Sequence, residues 1–190
     1  MLLLASASPR RADLLRQIGV AFRVEPVPID ERERPGELPH DYVQRMAREK
    51  SIAAERQFGG GAILTADTTI AVDEKTLGKP ASSAEALTML TALAGRSHQV
   101  LSAVCLVKAG RRAERLSVST VTFAALSEQS IERYLACNES LDKAGGYAIQ
   151  GAAAAFVERI DGSYSGVVGL PLMLTCQLLD EFAIPYWSRL

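Results

Sequence analysis

The chain has 190 residues, 48% of them hydrophobic, enough apolar material for a sizeable buried core and too much for a disordered polypeptide. Lysine and arginine number 21 against 22 acidic residues, a net charge of −1. That balance argues against a nucleic-acid coat or a membrane-surface protein, both of which need a basic excess.

Leu2, Leu3 and Leu4 form an apolar run of strand length. Ser6 and Ser8 follow as turn and N-cap residues, and Pro9 suits the first helical position, where its missing N–H is no loss. Leu14, Leu15 and Ile18 recur at helical spacing, and Gly19 supplies a stop. A strand, a tight turn and a helix bring free N–H groups and the positive end of a helix dipole over the strand end. Arg10 and Arg11 stand at the same place, with guanidinium forks that match phosphate oxygens. The segment reads as a phosphate cradle; an ordinary capped helix with solvated arginines is the alternative.

Phe22 to Val27 is expected as a second strand, and Ile29 to Glu37 as a polar loop whose Glu31 is a site candidate. Pro39 to Gln57 carries Val43, Met46, Ala47, Lys50, Ala53 and Ala54 on one helical face. A cation on that apolar stripe either snorkels outward or reaches the cradle as a phosphate ligand. After Gly59 to Gly61, Ala62 to Ala66 is expected as a buried strand delivering Asp67 at its end, where open α/β sheets place their ligands, with Ile70 to Val72 continuing as strand. Asp67, followed by Thr68 and Thr69, is the best catalytic candidate in the chain. Lys79 lies in a turn between Gly78 and Pro80; no GxxxxG precedes it, so this is no Walker loop.

Ser82 or Ser83 caps a helix to Ala94, stopped by Gly95. Val100 to Val107 and Leu116 to Ala124 are expected to form a hairpin around Gly110, with Val118, Thr120, Thr122 and Ala124 on one side. His98, at the mouth of the first of these strands, reads as a hydrogen-bonding residue rather than a base. Ser127 caps a short helix to about Cys137. Asn138 to Gly151 holds three glycines, the pair Asp142-Lys143, and Gln150. Its apolar Ala144, Tyr147, Ala148 and Ile149 call for a packed loop, and packed polar loops tend to carry function. Phe156 to Ile160 is a strand, and Pro171 opens a last helix, Leu172 to Phe182.

No linker or repeat divides the sequence, so residues 1–190 read as a single domain. Cys105, Cys137 and Cys176 are far apart and form no CxxC, which fits reduced, mostly buried thiols in the cytoplasm. With two histidines, a zinc site is disfavoured; oxygen ligands would select magnesium or manganese. No signal-peptide pattern or membrane span is present.

Taken in order, several stretches resemble the successive motifs of the Maf family. They are Ser6-Ala7-Ser8-Pro9-Arg10-Arg11, Ala66-Asp67-Thr68, Gly78-Lys79-Pro80, Gly95-Arg96-Ser97-His98-Gln99-Val100, Asp142-Lys143-Ala144-Gly145, Ile149-Gln150-Gly151, Gly162-Ser163-Tyr164 and Val168-Gly169-Leu170-Pro171. The resemblance implies an elongated mixed β-sheet flanked by helices, similar to the inosine triphosphatases, with an active-site cleft between two lobes. It implies a nucleoside triphosphate pyrophosphatase that cuts between the α and β phosphates with a divalent metal. Ile149-Gln150-Gly151 is similar to the branch acting on dTTP and UTP rather than the 7-methyl-GTP branch. Arg10, Thr68 and Gln150 fall on substrate-specifying positions and Asp67 on the acid-base position. Gly146 and Ala148 are small-for-small departures in that loop. The resemblance also suggests a homodimer.

The residues and the resemblance together give a substrate set of Ser8, Arg10, Arg11, Lys50, Thr68, Lys79, Asp142, Lys143 and Gln150. Glu31 and Asp67 are the metal candidates, and Asp67 is either base or metal ligand. Gln150 is expected as a buried amide offering a donor and an acceptor to a pyrimidine edge. The competing reading is a non-catalytic nucleotide-binding regulator of septum formation. Neither nucleic acid nor a membrane is expected as a partner.

Overall fold

A computed structural model describes residues 1–141 and 143–187, so the Asp142 assignment lies outside the described residues. Seven strands form one mixed sheet: β1 (Leu2–Leu4), β2 (Phe22–Val24), β3 (Ile63–Val72), β4 (Lys75–Leu77), β5 (Ser97–Lys108), β6 (Arg111–Phe123) and β7 (Val157–Asp161). Their order is β2-β1-β3-β5-β6-β7, with β4 paired to β3 beside β1. β1 runs parallel to β2 and β3; every other pairing is antiparallel. Six helices flank the sheet: α1 (Pro9–Gln17), α2 (Pro39–Phe58), α3 (Ser83–Leu93), α4 (Glu128–Leu135), α5 (Tyr164–Val168) and α6 (Leu172–Glu181).

The long strands make the molecule two-lobed. β3, β5 and β6 are 10, 12 and 13 residues long, and at about 3.4 Å per residue they pass through two separate apolar clusters. At one end Leu2, Leu4, Leu64, Val104 and Leu106 pack against α1 and α6. At the other, on the same sheet face, Ile70, Val100, Val121 and Phe123 pack against α3, α4 and Tyr147. Alternation sends Leu3, Ile63, Ala103 and Cys105 to the opposite face, where α2 lies with Val43, Ala47 and Ala54 fully buried. Ile149 touches both clusters of the first face and so bridges the lobes.

The hairpin at Gly110 is as expected. Ala109 and Gly110 take φ of +52° and +77°, the left-handed pair whose twist matches flanking antiparallel strands. The side of β6 carrying Val118 is the α2 side and the less buried one, since α2 covers only part of it: Val118 is 48% exposed, while Ser117, Ser119, Val121 and Phe123 are buried.

Several boundaries shift for local reasons. β2 stops at Val24, because Pro26 and Pro28 lack the N–H a ladder needs. Asp67 does not end a strand. β3 continues through Thr68 and Thr69 to Val72, since its β5 side stays paired from Ile63↔Val107 to Ala71↔Gln99. β4, α5 and a 3-10 turn over Ala152–Phe156 are additional elements. Among the described residues no helix is long and apolar enough to cross a membrane. Cys105 is buried, but Cys137 is exposed rather than core.

Candidate active site

The cleft begins as a gap in the sheet. β1 pairs with β3 at Leu3↔Ile63 and Leu4↔Leu64, then leaves through Ala5, Ser6 and Ala7 into α1. β4 rejoins that side of β3 only at Ile70↔Leu77. Thr65 to Thr69 therefore have a strand neighbour on the β5 side and open space where β1 has stopped. Asp67 lies in the middle of this gap, just past the carboxyl end of its parallel neighbour. The strand end that opens space beside Asp67 is therefore that of β1 and not, as expected from sequence, that of its own strand. Residues from both lobes enclose a cavity of about 990 Å³ around it.

The two faces of β3 present different chemistry to this cavity. On the α2 face, Thr65 donates to the Ala47 carbonyl at 2.7 Å, which fixes helix and strand in register. Lys50, one turn further along α2, then reaches Asp67: its Nζ lies 2.6 Å from Oδ1. The same ammonium is 2.6 Å from a carboxylate oxygen of Glu31. Of the two directions open for Lys50, its side chain takes the inward one, only 12% exposed, and its contacts there are to carboxylates. Burial pushes the Glu31 carboxyl up, but the hydrogen bond and charge of Lys50, with the charges of Lys79 and Arg11, hold it below its ordinary value.

On the other face, Arg11 crosses the gap. Its Nε donates to the Gly169 carbonyl at 2.9 Å, one terminal nitrogen to Ser6 Oγ at 3.1 Å and the other to Thr68 Oγ1 at 3.3 Å. Burial lowers its pKa, and the Asp67 charge opposes that shift. Thr68 also shares a 2.8 Å hydroxyl contact with Ser102, which donates to the Gly166 carbonyl at 2.7 Å. Arg11 is thus a fixed part of the wall joining the lobes, and Arg10 is the more available of the two. Arg10 lines the cavity with its Nε buried and without a hydrogen-bond partner.

Most predicted residues converge. Ser8, Arg10, Arg11, Glu31, Lys50, Asp67, Thr68, Lys79, Lys143 and Gln150 all line the cavity. Two differ from expectation in detail. Ser8 stands at the N-cap position of α1 but its side chain caps nothing; its backbone N–H is instead bonded to Ser6 Oγ. Gln150 is exposed at the rim rather than buried. The loop behind it is firmly tied. Gly145 N–H donates to the Gly78 carbonyl, Ala148 N–H to Tyr134 Oη, and Tyr147 Oη pairs with His98 Nε2 at 2.7 Å. His98 is buried, and burial lowers its pKa to about 4, so it is a neutral hydrogen-bonding residue rather than a base.

Three supporting residues escaped the sequence reading. Tyr42 lines the cavity and its hydroxyl donates to the Glu31 carbonyl at 3.0 Å. Arg45 holds the Glu31 loop through Glu37 and through the Arg32 carbonyl. Ser102 backs Thr68. The i, i+4 spacing of Arg45 with Glu49 and of Arg45 with Asp41 was a visible signal for a charged helix face; nothing in the pattern marked Ser102.

The donor set suits a hard cation carried on phosphate. Among the described residues no group of three or more His, Cys, Asp or Glu converges, so the protein offers two carboxylates, Glu31 and Asp67. Two carboxylates close enough to share one ammonium are close enough to share one metal ion. The remaining positions would go to phosphate oxygens and waters, the habit of magnesium in triphosphate sites.

Comparisons with known proteins give the family. The family described as Maf-like protein matches residues 1–182. A protein of Alcanivorax borkumensis named dTTP/UTP pyrophosphatase is 53% identical over 190 residues, covering 99% of this chain and 98% of the relative. Proteins with the same name from Shewanella oneidensis and Symbiobacterium thermophilum are 49% and 45% identical, covering 96% and 98% of this chain and 98% and 96% of their own lengths.

Proposed function

The chain belongs to the Maf-like family, and from that premise we propose that it is a nucleoside triphosphate pyrophosphatase acting on dTTP and UTP, releasing the monophosphate and pyrophosphate. The observation that carries the reading is the meeting of Asp67, Glu31 and Lys50 in a cleft walled by Arg10, Arg11 and Lys79. A pocket that only stored phosphates would gain nothing from two carboxylates placed among its cations.

A triphosphate carries about four negative charges, which repel an attacking oxygen until they are neutralised. Arg10, Lys79 and Lys143 line the cavity and take phosphate oxygens, while Arg11 supplies fixed positive charge from the wall. Glu31 and Asp67 would hold magnesium or manganese, whose charge on the phosphate oxygens lowers the barrier to attack. Asp67 accepts the proton of a water attacking the α phosphorus. Lys50 fixes the Asp67 carboxylate and then shares its charge with the phosphates. The base lies toward the Tyr147–Gln150 segment, where the Gln150 amide offers a donor and an acceptor to a pyrimidine edge. The same reading includes a homodimer with the hairpin over 100–124 as the contact surface; light scattering at the 20.4 kDa of one chain would refute that part.

Incubation with a panel of nucleoside triphosphates and magnesium tests the assignment. Pyrophosphate from dTTP and UTP ahead of the purine nucleotides supports it. Preference for 7-methyl-GTP would move the protein to the other branch, and binding without release would make it a nucleotide-binding regulator.

A further inference from the structure

The ammonium of Lys50 sits where a metal ion would have to sit. It is 2.6 Å from Glu31 Oε1 and 2.6 Å from Asp67 Oδ1, and among the described residues no other cation lies so close to either carboxylate. We propose that Lys50 fills the cation position between Glu31 and Asp67 in the free protein, so that a divalent metal enters only together with the triphosphate. The inference rests on the reading above that these two carboxylates are the metal ligands.

Charge and reach both point this way. A bare dication approaching the pair meets an ammonium already in contact with each carboxylate, and Arg11 and Lys79 add positive charge around Glu31. Two protein oxygens are few for an ion that gives up its waters reluctantly. The triphosphate changes both terms, because it brings oxygens to complete the coordination and offers Lys50 a new anionic partner. The parts that must move are the flexible ones. Lys50 has a four-carbon stem on a helix fixed by the Thr65–Ala47 bond. Glu31 has a side chain 51% exposed, on a backbone that Tyr42 holds by the Glu31 carbonyl. Asp67, in the middle of β3, stays still.

Electron paramagnetic resonance of free Mn²⁺ in a titration of the whole chain tests this without reference to turnover. The probes are Mn²⁺ alone and Mn²⁺ with α,β-methylene-UTP, which keeps the triphosphate charge but has no cleavable α–β oxygen bridge. Mn²⁺ alone should bind weakly, and with the analogue the chain should hold at least about tenfold more Mn²⁺ than it holds alone, beyond what the analogue chelates in a protein-free titration. Lys50→Met and Lys50→Gln should each bind Mn²⁺ alone about tenfold tighter than the unaltered chain, because the like charge is gone. Adding Glu31→Gln to either should return binding to the weak level. Thermal melts establish which variants fold, and the unaltered chain with and without the analogue decides the matter if neither does. The proposal is overturned if the unaltered chain binds Mn²⁺ equally well without the analogue, or if the folded Lys50 variants gain no affinity. Turnover of dTTP and UTP by the unaltered chain, measured in parallel, separates that failure from failure of the functional reading: turnover with tight binding of metal alone sinks only the order of entry.

Discussion

Arg45 and Glu37 form a two-pronged ion pair, with Arg45 Nε and Nη2 each 2.5 Å from a different carboxylate oxygen and the side chains 12% and 8% exposed. The same guanidinium donates to the Arg32 carbonyl at 3.0 Å and meets Glu49 on its own helix. The pair therefore fastens the loop carrying Glu31 to the helix carrying Lys50. Arg45→Ala leaves a largely buried carboxylate without its partner, a change of about 3 kcal/mol in folding stability. Urea unfolding should show that loss, and kcat/KM for dTTP should fall about tenfold as Glu31 drifts from Lys50, equivalent to about 1.4 kcal/mol. Arg45→Lys should recover only part of each, because one ammonium cannot reproduce the fork.

The His98–Tyr147 bond makes the loop behind Gln150 sensitive to acid. His98 has an ordinary pKa of about 6.5 when unfolded and about 4 in the fold, where burial disfavours its charged form. Between those values the unfolded chain binds more protons, so stability is full above about pH 6.5 and falls as pH drops toward 4. The loss over that window is up to about 3 kcal/mol. Denaturant melts at several pH values should show the slope, and His98→Phe should flatten it. An unchanged slope in that variant would mean that His98 is not the group responsible.

Gly145 supports the same loop by its shape. Its φ is +66°, and a Cβ there would lie 2.8 Å from Ile70 Cδ1. Gly145→Ala combines backbone strain with a clash in the core and should cost about 2–3 kcal/mol, moving the Lys143 and Gln150 segment with it. Gly60→Ala is the control: its φ lies outside the left-handed region and no atom lies within 4 Å of the added carbon, so a change within about 1 kcal/mol is expected. Thermal melts and KM for dTTP check both, with KM rising only for Gly145→Ala.

Much of this was legible in the chain because periodicity reports burial. The α2 stripe, the leucines of β1 and the hairpin at Gly110 follow from spacing alone. The same pattern placed Lys50 on the inward face, yet its contact with Glu31 depends on a loop whose path is set by Arg45 and Tyr42, distant in sequence. Short elements left no periodic trace: β4 has three residues and α5 five, with a glycine inside. Asp67 read as a strand end because Thr68 and Thr69 broke the apolar run, whereas the structure uses both hydroxyl residues as strand, with Thr68 spent on Arg11 and Ser102. In β6 the inward face carries Ser117 and Ser119, and Ser119 bonds Ser163 at the entry to α5, so small polar groups took places a hydrophobic pattern reserves for larger residues.

The α phosphorus as the point of attack can be read from isotope position. In water enriched in oxygen-18, hydrolysis of dTTP should place the label in the monophosphate and none in pyrophosphate. Label in pyrophosphate would move the attack to the β phosphorus and take Asp67 out of line with it.

Asp67 carries the central claim, and Asp67→Asn tests it most directly. The asparagine keeps the shape of the side chain and its place in β3 but removes the negative charge and the basic oxygen. Pyrophosphate release from dTTP at saturating magnesium should fall by roughly 10³-fold while the melting temperature does not drop and the chain still binds α,β-methylene-UTP. Turnover within a few-fold of the unaltered chain would contradict the account.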